Sequence, residues 1–178
     1  MKILVLKSSG NIHGNTSTLV DEFIRGAKEN GHDIEVIDLV KSHINGCTGC
    51  NACGMNGTCV QRDDMTKVYM NKLLDSDALV LSGPTYYFNI PAQLKVFIDR
   101  FYSRTYTITN KHMKTAFITT CWNSDEETIS IIRTYINKLN DYMSFESIGN
   151  IYATGCTSVN TTKRSYLKEA YELGKKFK

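Results

Sequence analysis

Short apolar runs alternate with amphipathic stretches along the whole chain, and few folds satisfy that pattern. Ile3-Leu4-Val5-Leu6 reads as a buried strand, and a helix follows with Leu19, Val20, Phe23, Ile24 and Ala27 on one face. Asn30-Gly31 stops that helix, and Ile34 to Ile37 begins a second strand. A Cys-rich loop over 44–62 leads to a helix capped near Asp64 that carries Met65, Val68 and Leu73. Ala78 to Leu81 is a third strand. Pro91 then starts a helix bearing Leu94, Phe97, Ile98 and Phe101, because its fixed φ and missing N–H suit a first turn. Ala116-Phe117-Ile118 is a fourth strand, and Ile129, Ile132, Ile136, Leu139 and Met143 form a helical stripe. Phe145 to Tyr152 reads as the fifth strand, and Leu167, Ala170, Gly174 and Phe177 mark a closing helix. Five strands alternating with five helices imply a parallel sheet covered on both faces. Such sheets bind ligands beyond the carboxyl ends of their strands, so the loops after strands one, three and four are where a site is expected.

At 178 residues the chain is the length of one domain, and no internal repeat or linker divides 1–178. Hydrophobic residues make up 42% and charged residues 22%, which excludes a disordered or fibrous class. The net charge of +3 comes from scattered residues, apart from Lys175, Lys176 and Lys178, so nucleic acid is not expected as a partner. The N-terminal apolar run is too short for a signal peptide, and no run reaches the length of a membrane span. A cytoplasmic location without membrane partners is the expectation. In that reducing setting, clustered cysteines point to metal or catalytic work rather than disulfides.

The loop Ser8-Ser9-Gly10-Asn11-Ile12-His13-Gly14-Asn15-Thr16-Ser17-Thr18 runs from strand to helix. A helix start offers unpaired N–H groups and a positive dipole end, and the hydroxyl and amide side chains add neutral donors for a phosphate. A plain helix cap would need only one of Asn15, Thr16 or Ser17. The Gly-Lys-Ser/Thr ending of an NTPase loop and the Gly-x-Gly-x-x-Gly fingerprint are both missing. A single phosphomonoester, such as the one that ends FMN, is the remaining choice. Ser9 belongs to this donor set, and His13 is a candidate cationic contact or simply a solvated loop histidine. After strand three, Ser82-Gly83-Pro84-Thr85-Tyr86-Tyr87-Phe88-Asn89-Ile90-Pro91 places three aromatics where a polar connection is usual. They either border a flat ring or plug the core beneath the loop.

Cys47, Cys50 and Cys53 follow one another at two-residue gaps, and Cys59 closes the set after Gly54-Met55-Asn56-Gly57-Thr58. Four thiolates are the ligand set of a [4Fe–4S] cluster, and the tight run is similar to those of ferredoxins. Structural zinc usually separates two Cys-x-x-Cys pairs by a longer segment, so zinc is the weaker metal reading, and a thiol loop without metal is the third. Cys121 and Cys156 stand alone and read as buried structural thiols.

The stretch Ser8 to Leu19, the segment SGPTYYFNIPAQLKVFIDR from Ser82 to Arg100, and the region from Cys47 to Met65 together resemble the NADPH-dependent FMN reductase family and its iron-sulfur flavoprotein branch. The likeness spans nearly the whole chain. It implies one flavodoxin-like domain with a five-stranded parallel sheet in the order 2-1-3-4-5. It also implies that Ser8, Asn15, Thr16 and Ser17 bind the FMN phosphate and that Pro84, Thr85, Tyr86, Tyr87 and Phe88 border the flavin. By the same resemblance the Cys47, Cys50, Cys53 and Cys59 loop holds a cluster that exchanges electrons with FMN. The expected activity is electron transfer from NAD(P)H or a reduced ferredoxin-like donor to a flavin, quinone or redox protein. A non-enzymatic flavodoxin-type carrier is the rival. The resemblance further implies a homodimer or homotetramer. The chain departs from the family in two places: Gly10, Asn11 and His13 stand where an arginine is common, and Thr119-Thr120-Cys121-Trp122-Asn123 replaces a Gly-rich loop. The cofactor supplies the chemistry, so no side chain is named as acid or base.

Overall fold

The computed structural model describes residues 1–178. Five parallel strands form one sheet in the order β2-β1-β3-β4-β5, as the alternation of apolar runs predicts. They are β1 (Lys2–Lys7), β2 (Asp33–Asp38), β3 (Ala78–Pro84), β4 (Lys114–Thr120) and β5 (Glu146–Ala153). Alternate residues of β1 face opposite ways and both faces are covered. Leu4 and Leu6 join one apolar cluster, whereas Ile3 and Val5 join the other. A strand buried on both faces has no polar side, which is why its sequence is continuously apolar.

The second cluster is closed by α1 (Asn15–Glu29) and α6 (Arg164–Lys176), the most extensively packed helix pair. Their backbones meet at glycines: a Cβ on Gly174 would stand 2.2 Å from the Phe23 carbonyl oxygen. The opposite face is covered by α2 (Met70–Leu74), α3 (Ala92–Asp99), α4 (Thr105–Asn110) and α5 (Glu126–Met143).

Two stretches differ from the sequence expectation. The helix after the Cys-rich loop opens as a π-helical turn over Met65–Tyr69 before becoming α2. The helix that starts after Pro91 tightens into a 3₁₀ stretch over Arg100–Arg104 and resumes as α4, which periodicity misses because Thr105-Tyr106-Thr107-Ile108-Thr109 is rich in poor helix formers. Phe145 lies just outside β5 and packs into the larger cluster. Residues 42–63, by contrast, contain no strand or helix beyond turns.

Candidate functional site

The carboxyl ends of β1, β3 and β4 converge on a cavity of about 360 Å³. That volume lies within the usual range for a small-molecule site. Its wall joins Ser9, Gly10, Asn11, Gly14, Asn15 and Thr16 of the first loop to Pro84 and Tyr86 after β3, and to Thr120 at the end of β4. The first hydrogen bond of α1 runs from the Thr18 N–H to the Gly14 carbonyl, and Gly14 offers no side-chain cap. The amides of Asn15, Thr16 and Ser17 therefore have no acceptor within the protein, which is the open end an anion needs. Neither of the cations on this loop replaces the missing arginine: the Lys7 ammonium pairs with Asp21 at 3.3 Å, and His13 is an exposed loop residue. Neutral donors and the helix end thus fit a phosphomonoester.

The side chains expected around the phosphate do more than face it. Ser8 is buried, and its hydroxyl donates to the Ser82 carbonyl at 2.6 Å, tying β1 to β3. That approach is possible because residue 83 is glycine; a Cβ there would lie 2.2 Å from the Ser8 Oγ. Thr16 Oγ1 meets Thr120 Oγ1 at 2.7 Å, and Ser17 Oγ donates to the Asn11 carbonyl at 2.8 Å. Asn15 clamps a distant loop. Its Nδ2 donates to the Ser158 carbonyl at 2.7 Å, and its Oδ1 accepts from the N–H groups of Thr161 and Thr162. Ser158, Val159 and Cys156 consequently form a cavity wall that sequence reasoning misses. Burial holds the Cys156 thiol above its ordinary pKa.

Tyr86 and Asn89 exchange backbone hydrogen bonds of 2.9 and 3.0 Å, and the residues between them, Tyr87 and Phe88, have φ values of 45° and 65°. This is the geometry of a type I′ turn, normally built from Asn and Gly. Two aromatics held left-handed store strain, and strain of this kind clusters at binding sites. Tyr86 lines the cavity, while Tyr87 is 97% exposed and Phe88 also projects to solvent. The aromatics do not plug the core. Thr85 fixes the base of the turn, its N–H donating to the Thr120 carbonyl at 2.8 Å.

Cys47, Cys50, Cys53 and Cys59 all line a second, small cavity shared with Arg100, Tyr102 and Ser103. No three of the chain's His, Cys, Asp or Glu side chains are grouped as ligands of a metal ion, so the structure does not assemble the expected ligand set. The enclosed space is about 20 Å³, and Cys47 and Cys50 are exposed. The donor chemistry nevertheless fits. The Ala52 N–H and the Thr48 hydroxyl bond to the Cys50 sulfur and hold its thiol below the ordinary value. The backbone is left-handed at Gly49, Asn51, Gly54 and Met55.

The 3₁₀ stretch and α4 staple this loop in place. Arg104 donates to the Asn56 carbonyl and to Thr58 Oγ1, Tyr102 donates to Asn51 Oδ1 at 2.9 Å, and Thr107 donates to Asn56 Oδ1 at 2.7 Å. Deeper in, Arg100 and Asp63 form a buried ion pair of 2.5 Å. Burial works against both charges, but the pair outweighs it: the Arg100 pKa is raised and the Asp63 pKa lowered.

A doubly covered parallel sheet in this order, with a loop of open amides after β1 and an aromatic turn after β3, defines a flavodoxin-type α/β protein. A family model described as the flavodoxin-like fold matches residues 1–176. The chain is 32% identical to an iron-sulfur flavoprotein of Archaeoglobus fulgidus, over 99% of its own length and 78% of the relative's. It is 36% identical to an FMN-dependent NADH:quinone oxidoreductase of a Shewanella species, over 55% of the chain and 54% of that protein. Among solved structures, an NAD(P)H:quinone oxidoreductase from Methanothermobacter marburgensis superposes with a TM-score of 0.80 at 18% identity, covering 98% of this chain and 94% of that one. The chain belongs to the flavodoxin-like family.

Proposed function

We propose that this protein is an NAD(P)H-dependent FMN oxidoreductase that passes electrons to a quinone, flavin or redox protein, with a [4Fe–4S] cluster in the Cys-rich loop as a second redox centre. The observation that carries the reading is the cavity at the strand ends, open amides on one side and the strained aromatic turn on the other. The names of the relatives, iron-sulfur flavoproteins and FMN-dependent quinone reductases, support it.

FMN is the cofactor, with its phosphate at the N–H groups of Asn15, Thr16 and Ser17, near Ser9, and its ring beside Pro84 and Tyr86. Bound flavin supplies hydride acceptance from a nicotinamide and onward electron delivery. The protein's own work is positional. Asn15 holds the 158–162 loop against the cavity, Thr85 fixes the turn, and Ser8 sets the spacing of β1 and β3. Cys47, Cys50, Cys53 and Cys59 would hold the cluster. The reading includes a homodimer or homotetramer, since assembly would cover Tyr87 and Phe88. No helix is long and apolar enough to cross a membrane.

Steady-state oxidation of NADH and NADPH with menadione or ferricyanide tests the enzyme reading. FMN-loaded protein that turns over neither nucleotide would instead be an electron carrier. Iron and acid-labile sulfide, assayed in protein purified without oxygen, test the cluster: about four of each per chain are expected.

A further inference from the structure

We propose that Lys163, at the start of α6, is the cation of the phosphate site, its ammonium closing on the phosphate group of FMN beside the loop that Asn15 holds. The proposal rests on the reading of the strand-end cavity as an FMN site.

A phosphomonoester carries close to two negative charges at neutral pH. None of the side chains that line the cavity is charged, so a dianion there meets only neutral donors. Lys7, at the end of β1, is committed to Asp21. Lys163 is exposed and enters none of the chain's ion pairs. Its charge is free for a ligand.

The bonding around Asn15 brings this lysine to the site. Asn15 Oδ1 accepts from the Thr161 N–H at 3.1 Å, from the Thr162 N–H at 3.2 Å and from the Thr162 hydroxyl at 2.9 Å. The N–H of the same Asn15 is the first of the open amides of α1. Lys163 follows Thr162 directly, about 3.8 Å further along the backbone. A flexible four-carbon stem thus starts close to the open amides. The turn that delivers it is fixed by its own bonds. The Thr161 hydroxyl donates to the Ser158 carbonyl at 2.7 Å, and Asn160 between them is left-handed, with a φ of 63°. Ser158 and Val159 of that turn wall the cavity.

Lys163 also breaks a local rule that a bound anion would mend. It is the N-cap of α6, a place where Ser, Thr, Asp or Asn accepts from an open amide. A lysine has no acceptor to offer, and its side chain makes no capping bond. Arg164 comes next, and the first turn of α6 contains no acid. Two cations therefore stand at the positive end of a helix dipole, which disfavours them. Such a conflict at the rim of a cavity is where function overrides local preference. A phosphate dianion held at the start of α1 supplies the negative charge that the start of α6 lacks.

The test titrates the full chain, stripped of flavin, with FMN and with riboflavin, which has no phosphate. Lys163→Gln should bind FMN roughly threefold to tenfold more weakly and bind riboflavin as the wild type does. Wild-type affinity for FMN should fall as salt rises from about 0.02 M to about 0.3 M, and the variant should lose most of that dependence. Lys163→Arg should keep wild-type affinity. Lys138→Gln, on α5 across the sheet, removes the same net charge and should leave FMN binding unchanged. Wild-type FMN affinity in Lys163→Gln overturns the proposal. An equal loss of riboflavin binding also overturns it, because Lys163 would then be a support of the cavity wall. An equal loss in Lys138→Gln does the same, by making the effect one of net charge. Wild-type protein that binds FMN no more tightly than riboflavin removes the phosphate reading itself and the proposal with it, and that failure shows before any variant is made.

Discussion

Asn15 shows how much one side chain can organise around the cavity it lines. Its amide bonds to Ser158, Thr161 and Thr162, more than 140 residues away, so it couples the loop after β1 to the segment before α6. Asn15→Ala should leave those groups without partners and let the wall retreat. Losing a buried bonding partner costs about 1–3 kcal/mol, so apoprotein titrated with FMN should bind roughly tenfold to a hundredfold more weakly. Unchanged affinity would take residues 158–162 out of the site. The location of this site is legible from sequence, because a strand ending in hydroxyl and amide residues before an amphipathic helix is a local signal. The bonding is not. Ser8, Thr16 and Ser17 read as phosphate donors, but their hydroxyls find partners at Ser82, Thr120 and Asn11. Two of those partners come from other strands, and no local pattern announces them.

At the scale of elements, the turn after β3 and the α1–α6 contact illustrate opposite uses of backbone geometry. Tyr87 and Phe88 occupy left-handed positions that cost an ordinary residue roughly 1–2 kcal/mol each. Tyr87→Asn with Phe88→Gly supplies the preferred I′ residues, so the apoprotein should unfold at higher urea concentration. FMN should bind less tightly, with an altered visible spectrum. A variant that gains stability and keeps full affinity would show that the aromatics do not border the flavin. Gly174 works the other way. A methyl group there would strike the Phe23 carbonyl, so Gly174→Ala should separate α1 from α6 and lower stability by about 1–3 kcal/mol in urea unfolding. The five strands and the long helices are legible because their apolar spacing repeats. The π-helical turn, the 3₁₀ stretch and α4 are not. Their shapes answer to the Cys-rich loop, whose anchors Arg100, Tyr102, Arg104 and Thr107 lie on the other side of β3 in sequence.

Across the whole molecule, the Arg100–Asp63 pair joins the least regular segment to the larger apolar cluster, and this makes stability depend on acid in a defined direction. Burial alone would raise the Asp63 pKa, but bonds from Arg100 and from the N–H groups of Asn45 and Thr66 outweigh it, so the folded value lies below that of an ordinary aspartate. A carboxylate whose pKa falls on folding contributes stability that is fully present above its unfolded value. That contribution is lost as pH drops through the folded value. The wild-type protein should therefore hold a plateau near neutral pH and lose stability progressively below about pH 4. Glu35, held down by Lys72 and Lys2 despite partial burial, adds to the same limb. Asp63→Asn separates the two contributions. At neutral pH it leaves the Arg100 charge unpaired in the interior and should cost about 3–5 kcal/mol. Because the amide that replaces the carboxylate cannot titrate, the variant's stability should change less with pH, and the difference from wild type should shrink toward acid. Urea unfolding of both proteins between about pH 3 and pH 7 measures it. The pair is buried, so about 0.5 M salt should change the gap little, unlike the exposed pairs at Arg25 and Arg133. A gap that stays constant from neutral pH down to about pH 3 would mean that Asp63 does not carry this acid sensitivity.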